Sequence, residues 1–412
     1  MTASLAPTRA ARWHRIAARC TNCLPDQAAF CIALMFAGLV ALLTALLGGC
    51  GGGVGSEGTG SFASGTISGF GSIIVNGVHF DERAAQVQDD DGQALGTSAL
   101  ALGMVVQVNG GAITRAADGS SHAVASSVRT DRALVGPADA VDVRMGRLKV
   151  LGQTVVVSTN TVFDPRIVGG LEGVGLGQVL EVYGFYDSVG KAYAATRIAL
   201  GVAGAGYRIS GAVSTTDGSN RRFTLGSQTY SVGALASGMP VVGDKLRLNL
   251  QPTLDSNGGW VVIAQRAGDD APSDRDGAEL DGLVSAVMSA TRFVVAGVTV
   301  DASAAGASGS VQLGAKVEVS GTLRGGVLMA TRVETSDGLA SSFELNGQLS
   351  SLDLAARRFV LRGTTVSYGG AEVLFSNGSA AKLSGYTGSL RVEGVLSADR
   401  TLLLASRISF NN

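Results

Sequence analysis

From residue 60 onward, apolar and polar positions alternate in short runs bounded by glycine, the period-two signature of half-buried β-strands. The clearest runs are hairpins around a central glycine: IIVNGVHF at Gly77, LKVLGQTVVV at Gly152, FTLGSQTYSV at Gly226, FVVAGVTV at Gly297 and FVLRGTTV at Gly363. In four of them apolar residues stand four and two positions before the glycine and three after it. These are Ile73, Val75 and Phe80; Leu148, Val150 and Val155; Phe293, Val295 and Val300; and Phe359, Leu361 and Val366. The third copy is shifted by one residue, at Phe223 and Leu225. A spacing of two puts such side chains on one face of a strand, so they are the predicted core.

Three further landmarks recur with the hairpins. Each copy opens on a strand around a glycine (Gly65, Gly136, Gly211, Gly282, Gly347) in a pattern close to GxVS. After the hairpin comes LGMVVQV (102–108), echoed by LGQVLEV, VGDKLRL, LGAKVEV and, loosely, TGSLRVEG. Each copy closes on ASSV (125–128), ATRI (195–198), AQRA (264–267), ATRV (330–333) or ASRI (405–408). The alanine and the last apolar residue of that signature are three apart, so plain alternation does not put them on one face. Turn dipeptides fall where strands should reverse: Asn76-Gly77, Asp118-Gly119, Asp217-Gly218, Asn257-Gly258 and Asp337-Gly338.

About five strands in about 70 residues are too few for two large sheets, and closing the sheet removes exposed edges. The expected fold is therefore all-β: a tandem array of about five small antiparallel barrels of the OB or SH3-like kind. The expected units are 62–131, 132–206, 207–270, 279–340 and 341–412, with an acidic linker at 271–278.

The chain begins differently. Arg9, Arg12, Arg15 and Arg19 precede an uncharged run from Ala28 to Leu47, the order of a secretory signal, here residues 1–49, with an uncleaved membrane-spanning anchor as the alternative reading of the run. Leu47-Gly48-Gly49-Cys50 resembles the lipobox of bacterial lipoproteins. That resemblance implies lipid attachment at Cys50, cleavage before it and a Gly-rich tether over 50–61. Gly rather than Asp at residue 51 implies sorting to the outer membrane; the expected orientation there is toward the periplasm. Two other matches are discounted: Cys20-Thr-Asn-Cys23 lies in the segment to be removed, and Gly53-Val-Gly55-Ser-Glu-Gly58 follows no strand.

The ensemble of GxVS, glycine hairpin, LGxxVEV and ATRI resembles repeat domains of unknown function found in tandem in lipoproteins of Gram-negative bacteria. GFGSIIVNGVHFD in the first copy is especially close, copies one and four are strongest, and copies two and five are weakest. The resemblance implies an architecture and a location, and no activity.

Composition narrows the chemistry. All four cysteines lie at or before Cys50, so the body has no thiol nucleophile and no disulfide. Net charge is -1 over the whole chain and the body is slightly acidic, with few lysines and 5% aromatics, which argues against nucleic acid as a partner. No G-x-S-x-G, H-E-x-x-H or G-x-x-x-x-G-K-[ST] occurs. After the leader the histidines are His79 and His122; His79 should point away from Val78 and Phe80, as a solvated strand residue. Asp89-Asp90-Asp91-Gly92 and the run 268–282 carry Ca²⁺-type oxygens; the second fails as a calcium loop, with Pro272 and Leu283 at its first and last ligand positions, and the two are expected to be a solvated turn and a linker. Arg197, Arg266, Arg332 and Arg407 should lie along outer strand faces paired with neighbours; a ligand-binding row is the alternative.

The expectation is a non-enzymatic cell-envelope lipoprotein with no catalytic residue, metal or cofactor, acting as a binding or structural scaffold toward an envelope protein or glycan. A carbohydrate or small-ligand module is the alternative. A hydrolytic or metal-dependent enzyme, third, would need His79, Asp81 and Asp89 to Asp91 in one pocket. The pair Gly69-Phe70-Gly71-Ser72 is unique to the first copy and marks where a special contact should be sought.

Overall fold

A computed structural model describes residues 60–411, apart from 205, 226–227, 233–237, 243, 268–272, 307–310, 336–341 and 371. The leader, Cys50, both discounted motifs and the turn at Asp337-Gly338 lie outside the described residues.

One barrel plan is repeated five times. In the fourth copy its strands are Arg275–Ser289, Arg292–Val295, Val298–Asp301, Lys316–Arg324 and Val327–Thr335. The first pairs antiparallel with the second, the second with the third, the third runs parallel to the fifth, and the fourth lies antiparallel between the fifth and the first. The order 1-2-3-5-4-1 is a closed five-stranded Greek key, as in OB-type barrels. The same five pairings close the first barrel, the second, the third and the fifth. The all-β tandem array is thus the fold of the described residues. Its helical content among the described residues is three short 3-10 turns.

The glycine landmarks each meet a steric demand. In the hairpins, the positive-φ pairs Asn76-Gly77, Leu151-Gly152, Ala296-Gly297 and Arg362-Gly363 make two-residue turns matched to strand twist. In the opening strands the hairpin folds over a glycine: a Cβ on Gly65 would lie 2.0 Å from the Asn76 side chain, and one on Gly136 2.5 Å from Leu151. The residue three further on bulges out of register in four barrels, at Ser68, Asp139, Ser214 and Ser285. The three serines donate their hydroxyls to Ile74, Thr224 and Val294 carbonyls at 3.1–3.3 Å, which explains the serine of GxVS.

A second bulge explains the closing signature. In the first, second, fourth and fifth barrels the register skips Ser126, Thr196, Thr331 and Ser406. The extra residue shifts the alternation by one, so Ala125 and Val128, Ala195 and Ile198, and Ala405 and Ile408 all turn inward despite their odd spacing.

The hairpin faces read from the sequence are the barrel cores: Ile73, Val75, Phe80, Val150, Val155, Phe293, Val295, Val300, Phe359, Leu361 and Val366 are fully buried. Truncating one of these phenylalanines to alanine costs about 3–5 kcal/mol. The barrels also share cores. One cluster joins the first and fifth barrels, a second joins the second and third, and a third holds the fourth barrel with Phe62 of the first.

Two boundaries differ from the sequence reading. Ser61, placed at the end of the tether, is buried and opens the strand Ser61–Phe70, and residues 275–278 of the expected linker are already strand. Both segments are recruited by each other: Ser61 to Ser64 pair in parallel with Gly277 to Leu280, giving two otherwise open edges a partner.

Candidate functional site

The acidic triplet is not a solvated turn. Asp89 Oδ1 accepts the Asp91 and Gln93 amides at 2.9 and 2.8 Å, which folds the loop back on itself. Arg132, just before the second barrel, then reaches Asp89 Oδ2 at 2.8 Å, Asp90 Oδ1 at 2.5 Å and Glu181 at 3.2 Å. Arg208 of the third barrel holds Asp90 Oδ2 at 2.6 Å and also binds Asp91. Arg247 completes the network on Asp131 at 2.8 Å. Burial disfavours the Arg132 charge, yet Asp90 and Glu181 outweigh it and hold its pKa above the ordinary value. The oxygens that a hard cation would take are spent on guanidinium N–H groups that lock three barrels together.

The glycine pair has an equally structural reason. Gly69 and Phe70 run parallel to Glu344 and Leu345 of the fifth barrel. A Cβ on Gly69 would lie 2.5 Å from the Glu344 carbonyl oxygen, and one on Gly71 2.6 Å from Asn346 Cβ. Arg362, in the hairpin turn of the fifth barrel, covers the Phe70 ring at 5.9 Å and reaches Glu82 at 3.6 Å. The special contact at this stretch is a barrel–barrel seam.

Ser72, next to that seam, lines a recess of about 300 Å³ with His79, Asp81, Thr114, His122 and Val124. His79 lies on Val78–Asp81 and His122 on Ser121–Thr130; these strands are parallel and pair the two histidines directly. Their rings stack with centroids 4.9 Å apart. His79 does point away from Val78 and Phe80, but it is half-buried rather than solvated. Burial, opposed by Glu344 and assisted by His122 and Arg391, lowers its pKa.

The recess brings hydroxyls to both imidazoles: Ser72 Oγ is 3.4 Å from His79 Nδ1, and Ser120 Oγ is 2.6 Å from His122 Nε2. The Ser120–His122 contact is not a nucleophile with its base. The Ser120 hydroxyl donates to Asp118 Oδ1 at 2.6 Å, so His122 Nε2 must donate to Ser120 rather than accept from it. Asp81 is held by the exposed Arg83, which brings its pKa down to about 2. Asp89, Asp90 and Asp91 do not line the recess, so the convergence required by the enzymatic reading does not occur.

The four signature arginines divide. Arg332 pairs with Glu334 at 2.5 Å and Arg407 with Glu393 at 3.8 Å, both on outer strand faces. The Arg266 side chain is outside the described residues. Arg197 departs from the outer-face expectation: it is 7% exposed, donates to the Leu102 carbonyl at 3.1 Å and lies 4.0 Å from Asp164. Its neighbour Thr196 donates to the Gly103 carbonyl at 2.7 Å, so the closing strand of the second barrel docks on the first. The His79–His122 pairing and the burial of Arg197 carry no local sequence signal, because both depend on which strands and barrels become neighbours.

A family model described as a domain of unknown function (DUF5666) matches residues 135–199 and 281–334, which fall in the second and fourth barrels. The second copy, one of the two weaker by its landmarks, is thus matched alongside the fourth. No curated protein matches the chain.

Proposed function

We propose that this chain is a non-enzymatic, lipid-anchored cell-envelope protein whose five barrels act together as a binding or structural scaffold. The observation that carries the reading is the tying of the first barrel to all the others. It pairs strands with the fourth and fifth, exchanges ion pairs with the third, and accepts hydrogen bonds from the second. Barrels joined in this way suit holding partners at fixed separations better than swinging independently on linkers.

In this reading Cys50 carries the lipid, with more than one acyl chain giving stable anchoring at the outer membrane, facing the periplasm. Labelling with radioactive palmitate and fractionation test it. Wild type should be labelled and sediment with outer membranes, and Cys50→Ser should be unlabelled and uncleaved. A Cys50→Ser protein that is processed and anchored as before sinks the proposal.

A second reading, a carbohydrate or small-ligand module, is favoured by the His79–His122 recess. It is bordered by the loop between the first two strands and the one between the last two of the first barrel, where OB-type barrels take oligosaccharides. A thermal-shift screen against envelope glycans checks it: stabilisation that disappears in His122→Ala supports a ligand there, and no stabilisation by any glycan removes it.

A further inference from the structure

The first, second and fifth barrels meet around a cavity of about 320 Å³, at the low end of ligand-pocket sizes. Its walls include Leu100, Met104, Val162 and Phe163, and its charged lining is Arg166, Arg197, Arg362 and Arg400 against Asp164 and Glu181, a formal excess of two positive charges. The acids are already engaged: Asp164 is gripped by Arg166 at 2.7 Å and 3.0 Å, and Glu181 by Arg132 at 3.2 Å.

Arg197 is left short of partners. Of its five N–H groups one donates to a neutral carbonyl, the nearest carboxylate is at 4.0 Å, and Nε has no acceptor. Arg400 Nε, also buried and in the lining, has no acceptor either. Burial lowers the Arg197 pKa and Asp164 offsets this only in part, consistent with an under-compensated charge. A buried guanidinium in this state is costly unless a counter-charge joins it. Fit to a carboxylate or phosphate comes from the planar fork of N–H groups.

We infer that this three-barrel junction is a binding site for a small anion, a carboxylate or phosphate group carried on a compact, partly apolar body. The site exists only when the barrels are assembled, and it does not rest on the lipid anchor or on the histidine recess.

The test uses the detergent-solubilised full chain at constant ionic strength, with inorganic phosphate and benzoate as probes and chloride as reference. Saturable thermal stabilisation by phosphate alone identifies a phosphoryl group, and stabilisation by benzoate alone or more strongly identifies a carboxylate on an apolar body. Arg400→Asn, which tolerates the positive φ of that turn, should weaken binding on the order of tenfold. Arg197→Gln should abolish binding, and the remote Arg332→Asn should leave it unchanged. Stabilisation no greater than chloride gives, or an effect that survives in Arg400→Asn, overturns the proposal even if Arg197→Gln fails to fold.

Discussion

Arg208 Nη1 lies 2.6 Å from Asp90 Oδ2, joining residues 118 positions apart and tying the third barrel to the first. The Asp90 side chain is wholly enclosed, and Arg132 approaches its other oxygen at 2.5 Å. Each carboxylate oxygen thus belongs to a different barrel junction.

Removing that carboxylate strands buried guanidiniums. Asp90→Ala should lose about 3–5 kcal/mol in chemical denaturation. Arg332→Ala, which breaks an exposed pair within one sheet, should change stability by less than about 1 kcal/mol. Equal effects would show that the Asp90 network is not a structural joint.

The seam between the first and fifth barrels should be sensitive to single methyl groups. Gly69→Ala and Gly71→Ala place a Cβ into the fifth barrel's backbone or into Asn346. Both should raise hydrogen exchange at Glu344 and Leu345. Gly77→Ala meets nothing within 4 Å and should cost only the strain of its positive φ, about 1–2 kcal/mol, with the seam intact.

Glu279 of the fourth barrel gives stability a pH dependence. Burial is the main cause of its shift; the Ser320 hydroxyl opposes it, Glu318 adds to it, and the pKa rises to about 7. A carboxyl whose folded pKa lies above its unfolded value of 4.5 favours the fold at low pH, and that contribution is lost as pH rises from about 4.5 through 7. Glu279→Gln should therefore flatten this slope and be the more stable protein at pH 8, by up to about 3 kcal/mol. Parallel unfolding curves of the two proteins between pH 5 and 8 would refute it.

His79 works in the opposite direction. Its folded pKa is below the ordinary value of 6.5, so protonation favours the unfolded chain and stability falls as pH drops below about 6.5. Burial is the larger cause and His122 a lesser one, so His122→Ala should recover only part of the shift. Glu344→Gln should lower the pKa further. Imidazole NMR titration reads both, and full recovery in His122→Ala would show that the ring pair, not burial, sets the pKa.

The chain's local pattern determined the strands, the buried face of each hairpin and the positions where only glycine fits, because these follow from period-two alternation and turn sterics within a few residues. It also carried the bulge at Thr196 or Ser406 in disguise, as an alanine and an isoleucine three apart that both face inward. What tertiary structure alone decided is the company each residue keeps between barrels. Asp89 to Asp91 look like a solvated turn until Arg132 and Arg208 arrive, and Arg197 looks like an outer-face residue until the first barrel covers it. GFGS looks like a special loop until the fifth barrel's strand lies against it. The same five-strand pattern recurs in every copy, so it specifies a barrel but not its neighbours. Those are selected by a few charges and missing side chains whose complements stand from 42 to well over a hundred residues away.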